Sequence, residues 1–368
     1  MMRLGVDGRE LRREGRTGIA RYALEVLTAA SARGWAVTVY GDGATRRHLA
    51  LPGVTVRVLP APATVWWDQV ALPRALRADG ARVLLSPYYK TPLWAPCPSV
   101  ITIHDLFFIG YPGRRRPVMD ALRTAAARLY ARRAHGVIAD SEHSARAVVA
   151  RLGIDRSRIT VAPVAVGAEF VPSALDEGVR ARYGVGGAYV LYVGNFMPHK
   201  NLDRLLRAWG LLPGALRARH RLVLAGGGDG RRAGLHARAA ALGIAGSVVF
   251  PGRIDDGDLP GLYSGAAVVV LPSLEEGFGL PAVEAMACGA PVIVSDGGAL
   301  PEVTAGAAVV FDAGKEEALA AAITAVLVDP GHADVLRRRG TARARAFAPA
   351  HTSARVLDLL ERVAHGPR

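Results

Sequence analysis

The chain has few cysteines and lacks a long apolar run. Two cysteines, Cys97 and Cys288, stand among 368 residues, too few for a disulfide framework, and this favours a reducing, cytoplasmic location. No apolar run approaches the roughly 18–20 residues that a membrane helix needs. The first eight residues turn polar too soon for a secretory signal, so we expect none.

Lysine is also rare, although the chain is strongly basic. The net charge is +14, yet of 46 basic residues only Lys90, Lys200 and Lys315 are lysine. The arginines are scattered, and the sequence contains no zinc-finger spacing, RNA-binding aromatic signature or basic tail, so we expect no nucleic-acid partner. The densest basic region runs from Arg114 to Arg133. A solvated helix face is favoured there, with peripheral contact to anionic lipid headgroups or to an anionic acceptor as the alternative.

The pattern of strands and helices indicates an α/β fold. Short apolar strands alternate with helices along the whole chain, which predicts parallel βαβ units and two Rossmann-like domains. We expect an N-terminal domain over 1–168, a second over 169–350, and a helix within 351–368 whose docking partner the sequence does not give. Loops at the carboxyl ends of both sheets should line a cleft between the domains, where such sheets usually bind ligands.

One stretch, from Ser273 to Gly289, combines a strand end, a loop and a helix start. The strand 267–271 leads into it, Pro281 is expected at the first helical position, and Glu276 and Glu284 lie on either side of the helix start. Unpaired N–H groups at a helix start suit an anion, and carboxylates beside it can accept hydrogen bonds from sugar hydroxyls. By spacing alone, the two glutamates could equally well serve only to complement the helix dipole.

A second strand end carries one of the three lysines. The segment from Gly194 to Leu202 follows a strand and opens a helix, so Lys200 is expected near a helix N-terminus. A lysine there can neutralise a diphosphate as a point charge.

Two other segments give weaker signals. The glycine-rich turn Gly226–Gly230 follows a strand but lacks the third glycine and the acidic residue of a dinucleotide fingerprint, so a tight turn is favoured and a dehydrogenase is the weakest interpretation. The pair Asp256 and Asp258 suggests a helix cap for the helix near Leu259 rather than a metal site. No His/Cys cluster has metal-ligand spacing, and we expect no metal.

In the first half, His104 and Gly18 are the candidate functional residues. His104 ends an apolar strand and is followed by Asp105, so it could orient a substrate or pass a proton, although a structural hydrogen bond is the commoner use of such a histidine. Gly18, before the first helix, would let the backbone approach a phosphate closely.

Taken together and in order, these motifs resemble the retaining glycosyltransferases of family 4, which have the GT-B fold. The resemblance covers nearly the whole chain, and its most specific element is the E-x7-E pattern of Glu276 and Glu284 around Gly277-Phe278-Gly279-Leu280. It implies a nucleotide-diphospho-sugar donor held mainly by the second domain, an acceptor held mainly by the first, and no cofactor or bound metal. The acceptor itself is open: a saccharide, a lipid-linked acceptor or a small molecule would fit.

The resemblance also implies individual roles. Lys200 contacts the diphosphate and Glu284 the ribose, while Gly252 and Arg253 flank the base. Glu276 holds the sugar and phosphate together with the backbone amides of Phe278, Gly279 and Leu280. His104 lies by the sugar, and Gly18 lies by the diphosphate. We therefore assign His104, Glu276 and Lys200 to the catalytic group and Gly277 to the donor loop. Many relatives have a basic residue where this chain has Asn195, so more of the charge neutralisation falls on Lys200 or on an arginine such as Arg253.

The donor is expected to carry a hexose, with GDP-mannose favoured and dTDP-rhamnose or a UDP-sugar as alternatives. The resemblance also implies retention of the anomeric configuration. Both glutamates are committed to binding, so no carboxylate nucleophile is evident, and the resemblance implies attack on the same face, with the leaving phosphate helping to deprotonate the acceptor. Two other classes remain open: a sugar-nucleotide 2-epimerase-like isomerase of the same architecture, and a non-catalytic binder of nucleotides or anionic lipid.

Overall fold

A computed structural model describes residues 1–12, 18–60, 63–107, 109, 117–227 and 230–366. The chain forms two compact units, one of Met1–Ala165 with Pro349–Arg368 and the other of Val166–Ala348. The boundary expected from the sequence, after residue 168, lies three residues later, and the C-terminal helix is not expected from the sequence to be part of either domain. Each unit is an α/β structure with its own parallel sheet.

The first unit is built on a seven-stranded parallel sheet with the strand order β3-β2-β1-β4-β5-β6-β7. Its strands are β1 (Arg3–Asp7), β2 (Ala36–Gly41), β3 (Val54–Val58), β4 (Val83–Ser86), β5 (Ser99–Ile103), β6 (Gly136–Ala139) and β7 (Ile159–Val161). Its helices are α1 (Gly18–Ala32), α2 (Gly43–His48), α3 (Thr64–Trp66), α4 (Leu72–Ala78), α5 (Pro117–Arg133) and α6 (Glu142–Leu152). Every residue of β4, β5 and β6 is buried, as expected for central strands of a parallel sheet that is covered on both faces.

The second unit repeats this plan with a six-stranded parallel sheet in the order β10-β9-β8-β11-β12-β13. Its strands are β8 (Ala188–Gly194), β9 (His220–Gly226), β10 (Val248–Gly252), β11 (Val268–Leu271), β12 (Val292–Ser295) and β13 (Val309–Phe311). Its helices are α7 (Glu177–Tyr183), α8 (Leu202–Leu211), α9 (Gly214–Arg219), α10 (Arg232–Ala241), α11 (Leu259–Ser264), α12 (Leu280–Ala287), α13 (Leu300–Thr304), α14 (Glu316–Val328) and α15 (Pro330–Ala344). The core lies between sheet and helices and includes the fully buried Trp209 of α8.

In each sheet the order of the strands reverses once. The reversal lies between β1 and β4 in the first unit and between β8 and β11 in the second. Ligands of open parallel sheets usually bind outside the carboxyl ends of the strands at this switch point. The loops that follow β8 and β11 are the two that carry Lys200 and Glu276.

The C-terminal helix, α16 (Pro349–His365), belongs to the first unit. Its apolar face, with Val356, Leu357 and Leu360 buried, packs on α1 and on the strands β4 to β6. Asp358 accepts a hydrogen bond of 3.0 Å from Arg33, just after the end of α1. The docking partner that the sequence leaves open is therefore the first helix of the chain.

Predicted and observed elements agree where the apolar pattern is clear. The apolar runs 83–86, 136–139 and 159–161 predict strands, and the pattern of 316–328 predicts a helix; these are the observed bounds of β4, β6, β7 and α14. The helices α4 and α15 are not predicted, because prolines and arginines interrupt their apolar periodicity. The prediction that an aspartate side chain caps α11 is wrong. Asp258 occupies the cap position, but its carboxylate accepts hydrogen bonds of 2.8 Å from Tyr183 and Arg182 instead.

Across the described residues, no single helix has both the length and the apolar composition of a membrane span. One bent pair, Glu316–Val328 with Pro330–His365, passes the same test by length and composition only.

Candidate active site

Three loops at the carboxyl edge of the second sheet are tied together by hydrogen bonds. They follow β8, β11 and β12, which are neighbours in the sheet. Leu274 N–H donates to the carbonyl of His199 at 2.7 Å, and Ala299 N–H donates to the carbonyl of Glu276 at 2.9 Å. Asn201, in the left-handed conformation (φ 57°) before α8, donates through its side-chain amide to the Pro272 carbonyl at 3.0 Å. The loops therefore form one connected framework at the switch point.

Lys200 and Glu276 form an ion pair within this framework. The Lys200 Nζ lies 2.6 Å from Glu276 Oε1, and the Ser273 hydroxyl donates to the same oxygen at 2.7 Å. The side chains are 16% and 10% exposed. Burial opposes ionisation of Glu276, but the attraction of Lys200 and the two hydrogen bonds outweigh it, so the pKa of the carboxyl is lowered from its ordinary value. The site thus holds a buried pair of opposite charges at neutral pH.

Glu284 lies on α12, one turn after the helix begins at Leu280. It is only 3% exposed, and its Oε2 accepts a hydrogen bond of 2.9 Å from the hydroxyl of Tyr263, which is fully buried on α11. A carboxylate held in this way has a set orientation. Pro281 is the second residue of α12 and not the first as predicted, because the helix begins at Leu280.

The loop before α12 is shaped by Phe278 and Gly279. The Phe278 ring is buried and meets the Phe347 ring edge to face, with 5.5 Å between the ring centroids. Gly279 has φ 90°, and a Cβ there would lie 2.4 Å from a methyl carbon of Leu300. The positive φ favours glycine at this position, and any larger residue would also require the Leu300 side chain to move. The neighbouring Gly277 and Leu280 are half-buried.

A pair of glycines after β12 supports the same loop and is not among the residues that the sequence analysis selects. A Cβ on Gly297 would lie 2.4 Å from the Ser273 carbonyl oxygen. Gly298 has φ 67°, and a Cβ there would lie 2.3 Å from the Glu276 carbonyl oxygen. The backbone of the Glu276 loop can lie against β12 only because both side chains are absent. A Gly-Gly pair one residue after an apolar strand is the signal that could have indicated this.

The other predicted donor residues also lie at the carboxyl edge of the second sheet. Gly252 ends β10 with φ 84°, and the exposed Arg253 follows it. The strand β10 is at the edge of the sheet, two positions from β8. Asn195 directly follows β8, is exposed, and accepts a hydrogen bond from the Met197 N–H at 3.3 Å.

The glycine-rich turn after β9 has a packing role where it is described. Gly226 has φ 118°, and a Cβ there would lie 1.9 Å from the carbonyl oxygen of Gly194. The ends of β8 and β9 can therefore approach closely only with glycine at this position. Gly228 and Asp229 of the same turn lie outside the described residues.

In the first unit, His104 and Asp140 follow the neighbouring strands β5 and β6. The His104 Nδ1 lies 2.7 Å from Asp140 Oδ2, and the Tyr22 ring meets the imidazole edge to face at 5.1 Å. Burial opposes the protonated imidazole, but the Asp140 carboxylate outweighs this effect, so the pKa of His104 is raised from its ordinary value. Because Asp140 directly follows a strand as His104 does, the strand pairing could have indicated it.

Gly18 is the first residue of α1, one helical turn before Tyr22. It is exposed, and the same helix supplies the aromatic contact to His104. The turn residues before Gly18 and the arginines Arg114–Arg116 lie outside the described residues. Within the described part of the chain, no group of three or more His, Cys, Asp or Glu side chains could hold a metal ion.

Models of known protein families match both units of the chain. Residues 16–170 match the model of Glycosyltransferase Family 4, and residues 182–343 match that of Glycosyl transferases group 1. The chain belongs to the family 4 glycosyltransferases. Its two parallel-sheet domains have the GT-B arrangement of strands, as the resemblance implies.

Individual relatives support this assignment. The chain is 30% identical over 377 residues to the D-inositol 3-phosphate glycosyltransferase of Acidothermus cellulolyticus, spanning 90% of this chain and 82% of that protein. It is 33% identical over 215 residues to O-antigen chain mannosyltransferase B of Escherichia coli, spanning 58% of this chain and 56% of that protein. The chain thus spans little more than half the length of the second relative.

Solved structures show the same fold. Sucrose-phosphate synthase from Thermosynechococcus elongatus superimposes with a TM-score of 0.80 at 22% identity, covering 98% of this chain and 99% of that one. HepE of Anabaena, crystallised in complex with UDP and glucose, superimposes with a TM-score of 0.79 at 20% identity and the same coverage.

Proposed function

We propose that the protein transfers a hexose from a nucleotide-diphospho-sugar to an acceptor hydroxyl, with retention of the anomeric configuration. The observation that carries this proposal is the buried ion pair of Lys200 and Glu276, which lies where β8 and β11 meet at the switch point of the sheet. The pair provides a cation for a diphosphate and an acceptor for sugar hydroxyls side by side. Membership of the glycosyltransferase family supports the same chemistry.

In this proposal, Lys200 exchanges partners when the donor binds. The ε-ammonium that pairs with Glu276 turns toward the diphosphate, where it offsets the charge that develops as the sugar–phosphate bond breaks. The released Glu276 oxygen then accepts hydrogen bonds from the hexose hydroxyls. The loop amides of residues 277–280 at the start of α12 hold the phosphate and the sugar.

The contacts to the ribose and the base are assigned to residues at the same edge of the second sheet. Glu284, oriented by Tyr263, accepts hydrogen bonds from the ribose hydroxyls. Gly252 and Arg253 flank the base, and Asn195 contributes a neutral side chain beside the diphosphate. Charge neutralisation then depends on Lys200, with Arg253 as the second cation.

The proposed retention uses no carboxylate nucleophile. Glu276 is engaged by Lys200 and Ser273, and Glu284 by Tyr263, so both serve binding rather than nucleophilic attack. We propose that the acceptor oxygen bonds to the anomeric carbon on the face that the phosphate leaves, and that its proton passes to a phosphate oxygen. His104, held by Asp140, hydrogen-bonds the hexose near the reacting carbon, and Gly18 lets the backbone approach the diphosphate.

For the acceptor, the first unit offers a polar cavity of about 370 Å³ at its own switch point. Asp7, which ends β1, and Tyr88 and Lys90, which follow β4, line it. Arg9 crosses one side, bound to Asp7 and Asp68 at 2.6 Å each. Carboxylates and cations around one cavity suit a polyhydroxylated acceptor, which includes saccharides, lipid-linked sugars and small molecules.

GDP-mannose is the first donor to test, because one relative is a mannosyltransferase of O-antigen chains. A UDP-sugar is the second, since a structure of the same fold binds UDP and glucose. We further propose a cytoplasmic location, which agrees with two free, buried cysteines, and turnover without a metal ion.

The test is a panel of GDP-, UDP- and dTDP-hexoses with release of nucleoside diphosphate as the readout, with and without saccharide acceptors and with and without EDTA. We expect release that depends on one donor and is accelerated by an acceptor, and a product with the donor's anomeric configuration. Binding without release would favour the non-catalytic alternative. Conversion of the donor to its 2-epimer without an acceptor would favour the isomerase. No binding of any sugar nucleotide would overturn the proposal.

A further inference from the structure

Exposed tryptophans lie beside the acceptor cavity, the polar cavity at the switch point of the first unit. Aromatic residues make up only 6% of the chain, which contains five tryptophans. Three of the five stand in two short segments, 64–67 and 88–94, that also contribute to the lining of the cavity: Trp66, Trp67 and Trp94. Trp66 is 49% exposed and Trp94 is 72% exposed. Large exposed apolar side chains beside a polar cavity are typical of a binding surface.

Trp66 is presented by a helical segment that is anchored at the cavity. The next residue, Trp67, is buried, and the guanidinium carbon of Arg9 lies 4.1 Å from the centre of its ring. Arg9 itself lines the cavity, and so does Thr64, two residues before Trp66. The segment is therefore fixed on its inner side, while the Trp66 indole remains at the surface.

Trp94 lies in the loop after β4, which contacts the same helical segment. The N–H of Leu93 donates to the side-chain oxygen of Gln69 at 2.9 Å. Gln69 comes three residues after Trp66, so their side chains are neighbours on the helix surface and Trp94 lies near Trp66. The end of the loop is held by Cys97, which is buried in the core. Both indoles are thus held in place before a ligand binds, which lowers the entropy cost of binding.

The chemistry of this surface suits a sugar ring. The C–H groups on one face of a pyranose carry a small positive charge and can pack on the electron-rich face of an aromatic ring, while the hydroxyls remain at the edge of the sugar. The adjoining cavity offers polar partners for those hydroxyls, among them the side chains of Asp7, Glu10 and Lys90. Carboxylates beside the indoles would oppose an anionic bilayer, so a saccharide fits this surface better.

We propose that Trp66 and Trp94 form a second sugar subsite beside the acceptor cavity, and that the acceptor is a glycan of at least two linked sugars. The sugar that receives the hexose occupies the cavity, and the next sugar of the glycan packs on the indoles. The proposal rests on the proposed function, because it takes the cavity as the acceptor site. It adds the substrate class, since an acceptor with a single ring would leave the indoles unused.

The test measures binding of saccharides to the whole protein by calorimetry, without a donor. The probes are methyl α-mannoside, the α-linked mannose disaccharide and trisaccharide, and the matching glucose series. In at least one series we expect the disaccharide to bind about tenfold or more tightly than the monosaccharide, because each indole contributes about three- to tenfold. Equal affinities of the mono-, di- and trisaccharides in both series would overturn the proposal.

Variants separate ring stacking from simple apolar contact. The ratio of disaccharide to monosaccharide affinity should fall about three- to tenfold in Trp66→Ala and in Trp94→Ala. It should be largely kept in Trp94→Tyr, which retains an aromatic face, and lost in Trp94→Leu, which retains only apolar area. Leu211→Ala, at a side chain of the second unit that is 55% exposed, is the control and should leave the ratio unchanged. Equal ratios in Trp94→Tyr and Trp94→Leu would rule out stacking.

Release of nucleoside diphosphate tests the proposed function separately. If no sugar nucleotide is turned over but the tryptophan variants still lose the gain from the second sugar, the transfer chemistry is wrong and the subsite stands. If mono- and disaccharides accelerate release equally, in the wild type and in Trp66→Ala/Trp94→Ala alike, transfer stands and the subsite is refuted. Binding to anionic vesicles through Trp94, with no gain from the second sugar, would also refute it, because the surface would then contact lipid.

Discussion

Lys200 and Glu276 are 76 residues apart in the chain, and their charged atoms lie 2.6 Å from each other in a buried setting. The contact exists because β8 and β11, which precede the two residues, are adjacent strands whose carboxyl ends share one edge of the sheet. A buried pair of this kind is strongly destabilising when only one partner is removed, because the remaining charge is left uncompensated. The effects on folding and on donor binding can therefore be separated by mutation.

Lys200→Met should lower the free energy of unfolding by ~3–5 kcal/mol, since Glu276 then remains buried without its counter-ion. Lys200→Met/Glu276→Gln should recover most of that loss, because no buried charge remains and the amide can still accept the Ser273 hydrogen bond. Urea titration measures both changes. Lys315→Met, which removes an exposed lysine, is the control for loss of a positive charge.

Donor affinity should respond differently to the same variants. Lys200→Met should bind the nucleotide sugar ~10- to 150-fold more weakly, the equivalent of one lost charge-assisted hydrogen bond. The double variant should bind it at least as weakly, because it also lacks the Glu276 carboxylate. Calorimetry of donor binding gives the measurement. If the double variant, once stable, bound donor like the wild type, Lys200 would be a structural residue only.

The lowered pKa of Glu276 predicts how the free energy of unfolding depends on pH at the acid end of the range. A carboxyl whose pKa is lower in the folded state contributes its full stability above its unfolded pKa, about 4.3, and loses it as the pH falls through the folded value. The stability advantage of the wild type over Glu276→Gln should therefore shrink as the pH falls from about 5 toward 3. Denaturation at a series of pH values measures this difference. An advantage that stayed constant over the range would contradict the assignment, and Glu177→Gln, at a side chain 89% exposed, controls for loss of a carboxylate.

Tyr263→Phe should weaken donor binding by leaving Glu284 without the hydroxyl that orients it. The Tyr263 hydroxyl donates to Glu284 Oε2 at 2.9 Å within the core of the second unit. Hydrogen bonds to charged groups contribute ~1.5–3 kcal/mol, so we expect a comparable loss in stability and a rise in the donor dissociation constant. Tyr189→Phe is the matched control, since that hydroxyl is equally buried but donates to the Leu262 carbonyl at 2.7 Å. The proposed ribose contact would be refuted if the two variants changed donor affinity equally.

The sequence alone predicts the candidate residues better than it predicts their partners. Lys200, Glu276 and Glu284 each follow a recognisable strand or open a helix, and such local patterns depend on residues close in sequence. The partner of each depends on which strands are neighbours. The ion pair requires β8 beside β11, an order that apolar periodicity does not contain.

The residues that the sequence analysis misses share this cause. Tyr263 reaches Glu284 from a different helix, and Asp140 reaches His104 because β6 lies beside β5. The docking of α16 on α1 is of the same kind, since it joins the two ends of the first unit across the length of the chain. Such contacts are properties of the folded topology, whereas strands, caps and turns are properties of short segments.

The pKa of His104 offers a test in the first unit. A histidine whose pKa is raised in the folded state contributes stability below its unfolded pKa, about 6.5, and loses it as the pH rises through the folded value. Asp140→Asn removes the carboxylate that opposes desolvation, so the pKa of His104 should fall below that of the wild type. NMR titration of the imidazole protons measures it, with His104→Gln to assign the signal. An unchanged pKa would mean that Asp140 does not set the protonation of His104.

Gly298→Ala should disturb the Glu276 loop, and Gly306→Ala provides a control matched in backbone conformation. Both glycines have positive φ, 67° and 78°, so alanine is strained at both. Only at Gly298 would the new Cβ meet the Glu276 backbone, 2.3 Å from its carbonyl oxygen, whereas nothing lies within 4 Å at Gly306. We expect both variants to lose ~1 kcal/mol from the backbone strain, and Gly298→Ala to lose more and to raise the donor KM. Equal effects of the two substitutions on stability and on donor KM would show that the close approach of this glycine does not position the Glu276 loop.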